Sequence, residues 1–193
     1  MKPFSWVAVP IGILFCGFGI FLGIQAGGPN LPAPTAPGMP SSSSQEPAAD
    51  LRRATDDLFA QSMNDADGKP TGMAQWRGKP LLVNFWATWC PPCVEEMPAL
   101  SALQKELSEQ KMQIIGIGID SAANIKEFSS PLGIGYPLYV GGMGGSELTR
   151  KFGNKAGSLP YTVLISSNGQ VMKTYLGKLD MVRLRADIAA MWK

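Results

Sequence analysis

The sequence predicts an α/β fold in which a central mixed β-sheet is flanked by helices. Two long apolar runs, residues 80–87 and residues 112–120, have the β-branched and aromatic content of buried strands. A helical pattern lies between them, and a helical crossover favours parallel pairing of the two strands. Farther along, Asn168-Gly169 is a two-residue hairpin signal, which adds an antiparallel edge to the sheet.

The elements before and after the first long strand follow from shorter patterns. A turn signal at Asp67-Gly68 between two short possible strands predicts an N-terminal β-hairpin extension. From Pro91 to Leu107, apolar residues recur at helical spacing, and Pro98 should bend that helix. After the second long strand, the patterns predict a helix that breaks at Pro131, a short strand at 136–140 and a helix at 146–153.

The C-terminal part should complete the sheet and cover it with one more helix. Strands at about 162–166 and 170–176 flank the hairpin signal. Asp180 is in position to cap a last helix, which has Met181, Leu184, Ile188 and Met191 on one face.

Before the folded part, the chain predicts a membrane anchor and a linker. Residues 3–25 carry no charge and are long enough to cross a bilayer as one transmembrane helix. Lys2 precedes this run, so the positive-inside rule places the rest of the chain outside the cytoplasm. A cleaved signal peptide is the alternative, with the same consequence. We therefore expect an anchor at 1–25, a Gly/Pro/Ser-rich linker at 26–50 and a folded domain at 51–193.

Composition removes several classes of function. The formal net charge is +2 and no block of Lys and Arg occurs, so no nucleic-acid partner is expected. The chain has no histidine, which excludes Ser-His and Cys-His nucleophile pairs, His-ligated haem and mixed Cys/His zinc sites. We expect no cofactor and no resident metal.

The stretch NFWATWCPPCVEEMP contains two of the three cysteines, Cys90 and Cys93, where a predicted strand passes into a predicted helix. The helix dipole and the unpaired N–H groups of the first turn should stabilise a Cys90 thiolate. Pro91 or Pro92 can occupy that first turn without loss of a needed donor. The two-residue spacing allows a Cys90–Cys93 disulfide to open and close with little chain movement.

Three interpretations of this pair compete. A structural staple is disfavoured because so small a loop constrains the unfolded chain little. A metal site needs about four ligands, and only a two-sulfur Cu(I) site fits the residues present. Thiol–disulfide exchange is the interpretation that a CxxC motif at a strand-to-helix junction favours.

VNFWATWCPPC, followed by VEEMP and later by SLPYTVLISSNGQV, resembles the thioredoxin superfamily. Within it, the motifs are most similar to the TlpA/ResA-type branch of membrane-anchored extracytoplasmic thiol–disulfide oxidoreductases. The resemblance implies a thioredoxin-like fold, with Cys90 as the attacking thiol and Cys93 as the buried resolving thiol. It also implies a cis peptide bond at Leu159-Pro160 opposite the cysteines, with the Leu159 backbone free to pair with an incoming peptide.

The chain departs from plain thioredoxin at Asn84, where thioredoxin has a buried Asp. The branch usually carries a Glu three residues after the second cysteine, and Glu96 stands there. The resemblance implies that Glu96 shuttles the proton of Cys93; the alternative is a solvated carboxylate at a helix start. We expect Glu95 to be solvated.

Two tryptophans and the prolines of the motif complete the expected site. Trp86 and Trp89 should pack beside the disulfide and contribute to a docking surface, although core packing explains Trp86 nearly as well. The predicted substrate-binding residues are Trp89, Pro91, Pro92, Leu159 and Pro160. The branch also carries a strand-helix insert, which here would fall within about 121–152.

The predicted function is that of an extracytoplasmic thiol–disulfide oxidoreductase that reduces protein disulfides. The resemblance implies apocytochrome c or copper-site cysteines as substrates, a membrane thiol transporter as electron donor, and a location on the periplasmic side of the inner membrane. A peroxiredoxin-like peroxidase and a Cu(I) carrier using Cys90 and Cys93 are the alternatives. The resemblance to peroxiredoxins requires Thr or Ser three residues before the attacking cysteine, and this chain has Ala87 there.

Overall fold

The computed structural model describes residues 46–192. Within that range, no helix combines the length and the apolar character needed to cross a membrane. The predicted anchor, residues 1–25, and residues 26–45 of the predicted linker lie outside the described residues.

One seven-stranded sheet, in the order β2-β1-β5-β4-β3-β6-β7, forms the centre of the described part. Its strands are β1 (Ser62–Asp65), β2 (Pro70–Gly72), β3 (Leu81–Trp86), β4 (Gln113–Gly118), β5 (Leu138–Val140), β6 (Tyr161–Ile165) and β7 (Val171–Leu176). The helices are α1 (Glu46–Ala60), α2 (Pro91–Leu107), α3 (Ala122–Ser129), α4 (Gly142–Lys151) and α5 (Met181–Ala190).

The pairing is mixed, as the sequence predicts. β3 pairs with β4 and β4 with β5 in parallel, because each pair is joined by a helical crossover. The two predicted hairpins, β1–β2 and β6–β7, are antiparallel. β6 also pairs antiparallel with β3, which makes β3 a central strand with all six residues buried. The α/β prediction with a mixed sheet is therefore confirmed for the described residues.

Two apolar clusters fill the two sides of the sheet. One contains side chains of α2, α3 and α5 together with both cysteines of the motif. The other is formed with residues of α1 and α4. The cysteine pair therefore lies in the cluster under α2, away from the side that α1 and α4 cover.

Two helices differ from the sequence predictions. Helix α1 was not predicted, because residues 46–50 have a linker-like composition; it forms because Ala54 and Leu58 are buried against the sheet. Helix α4 begins at Gly142, four residues before the predicted start, although glycine disfavours helices. The close approach of this helix start to the sheet is at its N-cap, Gly141, where a Cβ would lie 2.5 Å from Cγ2 of Ile117.

The antiparallel register of β3 and β6 determines the position of the candidate site. Phe85 pairs with Tyr161, so the residues that follow β3 and the residues that precede β6 share one end of the sheet. Loop 87–90 leaves β3 at that end, and the Leu159-Pro160 peptide enters β6 there.

Candidate active site

Cys90 and Cys93 form a disulfide at the start of α2, the place that the sequence predicts for the pair. Cys90 is the N-cap residue of the helix and Pro91 is its first residue. Cys90 is 5% exposed, whereas Cys93 is fully buried. The two residues therefore differ in exposure, and Cys90 is the member of the pair that retains some exposed surface.

The first turn of α2 offers fewer free N–H groups to a Cys90 thiolate than the sequence predicts. Pro91 and Pro92 have no N–H groups, and the first available N–H, that of Cys93, already donates to the carbonyl oxygen of Cys90 at 3.0 Å. Unpaired backbone donors therefore contribute less to stabilising a Cys90 thiolate than the sequence argument assumed. The dipole of the 17-residue helix is the contribution that remains.

The peptide bond between Leu159 and Pro160 is cis, as the resemblance implies. The carbonyl oxygen of Pro160 accepts a hydrogen bond from the N–H of Gly177 at 2.9 Å. By contrast, the Leu159 backbone makes no hydrogen bond to any part of the chain that the structure describes. Leu159 is half-buried and packs against both apolar clusters.

Glu96 is buried, with only 2% of its surface exposed, so the alternative of a solvated carboxylate is wrong. It lies three residues after Cys93 on the buried side of α2. Its Oε1 accepts a hydrogen bond from Nδ2 of Asn84 at 2.8 Å, and its Oε2 accepts one from the backbone N–H of Leu179 at 3.0 Å. Two donors thus hold this carboxyl group in the interior of the domain.

The surroundings of Glu96 raise its pKa above the ordinary value for a glutamate. Burial is the largest cause, because it disfavours the charged form. The hydrogen bonds from Leu179 and Asn84 and the positive charge of Lys178 oppose burial without cancelling it. Glu95, its neighbour in the chain, is exposed as predicted and pairs with Lys178 at 2.6 Å.

The two tryptophans of the motif have different surroundings. Trp89 is 66% exposed beside the cysteines and is available to a docking partner. Trp86 is fully buried and packs on Phe128, with 5.7 Å between ring centroids. The expectation that Trp86 contributes to a docking surface is therefore wrong, because it is the last residue of a central strand and faces the core.

Three residues near the pair were not expected from the sequence. Thr88, in the loop before Cys90, donates a hydrogen bond to Asp120, which lies just after β4. This hydrogen bond fixes the loop to the end of that strand. Leu179 contributes a backbone N–H, which no side-chain pattern could have revealed. Tyr136 is buried in the same cluster as the cysteines.

In the described residues, no group of three or more His, Cys, Asp or Glu side chains is arranged to hold a metal ion. The Cu(I)-carrier alternative therefore depends on Cys90 and Cys93 themselves, which are oxidised in this structure. That alternative stays a prediction.

Comparison with known families identifies the broader group. Residues 40–188, most of the chain, match the family described as Redoxin. The chain belongs to the redoxin family.

The curated relatives support the narrower resemblance. The thiol-disulfide oxidoreductase ResA of Geobacillus thermodenitrificans is 30% identical over 118 residues, which are 61% of this chain and 66% of that protein. The protein of the same name from Halalkalibacterium halodurans is 29% identical over 66% of this chain and 70% of its own. The matched part thus spans about two thirds of these relatives, and the resemblance to ResA-type proteins is confirmed.

Solved structures of other proteins share the fold of this redoxin. A thiol:disulfide interchange protein of the thioredoxin family from Chlorobium tepidum is 29% identical, with a TM-score of 0.59, over 69% of this chain and 93% of that one. Peroxiredoxin Q of Xanthomonas campestris is 25% identical, with a TM-score of 0.56, over 71% of this chain and 93% of that one. The fold is thus thioredoxin-like, and the chain carries a Cys90–Cys93 disulfide, while the curated relatives are named thiol-disulfide oxidoreductases.

Proposed function

We propose that this redoxin is an extracytoplasmic reductase of protein disulfides that works through Cys90 and Cys93. The observation that supports this most is the asymmetry of the pair. Cys90 reaches the surface at a helix start, whereas Cys93 is fully buried near the buried carboxyl group of Glu96. Such a pair suits an attack on a partner by one sulfur and an internal resolution by the other.

In the first step, the thiolate of reduced Cys90 attacks one sulfur of the partner's disulfide. A mixed disulfide forms and the partner's other sulfur leaves as a thiolate, which takes up a proton. In the second step, Cys93 loses its proton and attacks the Cys90 sulfur. The partner leaves with both thiols, the enzyme keeps the Cys90–Cys93 disulfide, and two electrons have passed to the partner.

Glu96 is the group that we assign to the proton of Cys93. It lies one helical turn after Cys93 on the same buried face, and bulk solvent has almost no access there. Because the pKa of Glu96 is raised, it lies closer to the pKa of a thiol, which favours proton transfer between Cys93 and Glu96.

The docking surface that we propose surrounds Cys90. Trp89 offers an exposed aromatic ring, and Pro91 is exposed beside it, while Pro92 is half-buried. The unpaired backbone of Leu159, next to Pro160, is available for strand-like pairing with an extended partner segment.

The location and the partners follow from the resemblance and the N-terminal sequence. We propose that residues 1–25 anchor the protein in the inner membrane and that the part of the predicted linker before α1, residues 26–45, holds the domain on the periplasmic side. Apocytochrome c or copper-site cysteines are the proposed substrates, and a membrane thiol transporter is the proposed electron donor.

Paired serine variants test the assignment of the two sulfurs. With reduced protein and insulin as the disulfide substrate, Cys90→Ser should abolish reduction, because no exposed thiolate is left to attack. Cys93→Ser should instead accumulate a mixed disulfide with the partner, visible on non-reducing gels. Both variants are made in a Cys16→Ala background so that the third cysteine does not contribute.

Retained reduction in Cys90→Ser would refute the attacking role of that residue. Failure of Cys93→Ser to trap any partner, with trapping by Cys90→Ser instead, would reverse the two roles. The double variant, which has neither thiol of the pair, is the control for non-specific reduction.

A peroxidase is the second candidate, because the fold is shared with peroxiredoxin Q. Peroxide consumption by the reduced protein that is fast and lost in Cys90→Ser would favour it. The buried Ala87 stands where a peroxidase wants a hydroxyl group, so we expect slow consumption.

A further inference from the structure

Three buried polar side-chain atoms around Gly116 of β4 have no assigned function in the exchange reaction. These atoms are Oδ1 of Asn84, Nε1 of Trp86 and the hydroxyl oxygen of Tyr136, and none has a hydrogen-bond partner among residues 46–192. Buried polar groups are normally hydrogen-bonded, so three unpaired atoms in one region call for a shared partner.

The residues that carry these three atoms all lie around Gly116. This residue pairs with Asn84 across β3 and β4. A Cβ atom on Gly116 would lie 3.1 Å from Nε1 of Trp86 and 3.2 Å from Cε2 of Tyr136. The indole nitrogen and the tyrosine ring therefore meet over Gly116, next to the amide that binds Glu96.

The donors and acceptors in this region are complementary. An indole N–H can only donate, and the Tyr136 hydroxyl remains protonated because burial, followed by the charge of Glu96, raises its pKa. On the acceptor side, Oδ1 of Asn84 is free, and each oxygen of Glu96 accepts only one hydrogen bond from the described residues. One water molecule can accept from both donors and donate to both acceptors.

We propose that Tyr136 is a positioning residue for Glu96: its hydroxyl and the N–H of Trp86 donate to one bound water, which donates to Glu96 and to Oδ1 of Asn84. The carboxylate is thereby held in the orientation that receives the proton of Cys93. This inference rests on the proposed function for its use in catalysis, but the binding arrangement itself does not require turnover.

Few other titratable groups face Glu96. Lys178, from the segment before α5, acts on it through its charge and is itself paired with Glu95. Cys93 lies one turn earlier on α2 and Cys90 at the start of that helix, and neither titrates while the disulfide is closed. In the oxidised protein, a change in Glu96 titration therefore reports on its hydrogen-bond partners and on Lys178.

The test is a pH titration of Glu96 in the oxidised full chain, followed by NMR of glutamate labelled with ¹³C at the carboxyl carbon. Loss of the Tyr136 hydroxyl removes stabilisation of the carboxylate, so Tyr136→Phe should move the Glu96 midpoint to higher pH. Tyr139→Phe is the matched control, because Tyr139 lies in the apolar cluster on the other side of the sheet. It should leave the midpoint unchanged.

An unchanged or lowered Glu96 midpoint in Tyr136→Phe would overturn the proposal. If that variant does not fold, a high-resolution crystal structure of the unaltered protein decides the question. A water bonded to both the Tyr136 hydroxyl and Glu96 is expected, and a hydroxyl bonded to neither water nor Glu96 would overturn the proposal.

The outcomes also separate this inference from the proposed function. If Tyr136→Phe shifts the Glu96 midpoint but the unaltered protein does not reduce disulfides, the water site is supported and the reductase assignment is wrong. If the protein reduces disulfides but Tyr136→Phe does not shift the Glu96 midpoint, the reductase assignment is supported and the water site is wrong.

Discussion

At the scale of single residues, the main feature is a carboxyl group placed on a helix rather than on a strand. Asn84 stands on β3 and cannot exchange a proton, but its amide donates to both Glu96 and Thr162. The amide therefore fixes a carboxylate that comes from α2. The backbone N–H of Leu179 donates to the second oxygen of Glu96. Groups from both the sheet and the segment before α5 therefore hold the carboxylate in place.

Replacement of Glu96 by Gln should change the pH dependence of the second exchange step. The carboxylate form accepts the proton of Cys93, so in the unaltered protein this step accelerates as pH rises through the raised pKa of Glu96. In Glu96→Gln that acceleration should be lost and the step slowed about 100-fold, the lower range for general acid–base catalysis. Stopped-flow release of the partner from the mixed disulfide measures it.

Another carboxylate of α2 supplies the control. Glu106→Gln removes an exposed charge on the same helix and breaks only the surface pair with Arg185, so its pH profile should match that of the unaltered protein. Coincident profiles for Glu96→Gln and the unaltered protein would contradict the assignment of Glu96.

At the scale of elements, α5 and the segment before it matter to the site although they lie far from the cysteines in sequence. Asp180 caps α5 by accepting hydrogen bonds from Val182 at 2.9 Å and from Arg183 at 3.1 Å. The residue before it, Leu179, donates its N–H to Glu96. The helix cap and the carboxylate contact therefore belong to consecutive residues.

Loss of this cap should destabilise the fold. Asp180→Ala should lower the free energy of unfolding of the oxidised protein by about 1 kcal/mol, as measured by urea denaturation. Glu147→Ala is the control, since Glu147 is exposed within α4 and its side chain makes no hydrogen bond in the described part of the chain; its effect should stay within about 0.5 kcal/mol. Equal effects of the two substitutions would show that the cap contributes nothing specific.

At the scale of the whole described domain, the sequence predicted the sheet better than the site interior. Apolar runs and turn residues are local signals, so β3, β4 and the hairpin at Asn168-Gly169 were predicted within a residue or two. Helix α1 was missed because its composition is polar and only tertiary burial selects it.

The interior of the site depends on contacts between residues distant in sequence, which patterns do not encode. The cysteines are recognisable from their spacing. The burial of Glu96, in contrast, depends on Asn84 and on a backbone N–H 83 residues farther along the chain. The approach of Trp86 and Tyr136 to Gly116 likewise requires the pairing of β3 with β4 and the absence of a side chain at Gly116.

We propose that the Cys90–Cys93 pair donates electrons to partner disulfides. The most direct measurement is its reduction potential, obtained by equilibrating the full-length Cys16→Ala protein with glutathione redox buffers and quantifying the dithiol form. A reductase should have a potential near the thioredoxin range, about −270 mV. A value near about −120 mV, that of a strong oxidant, would contradict the account.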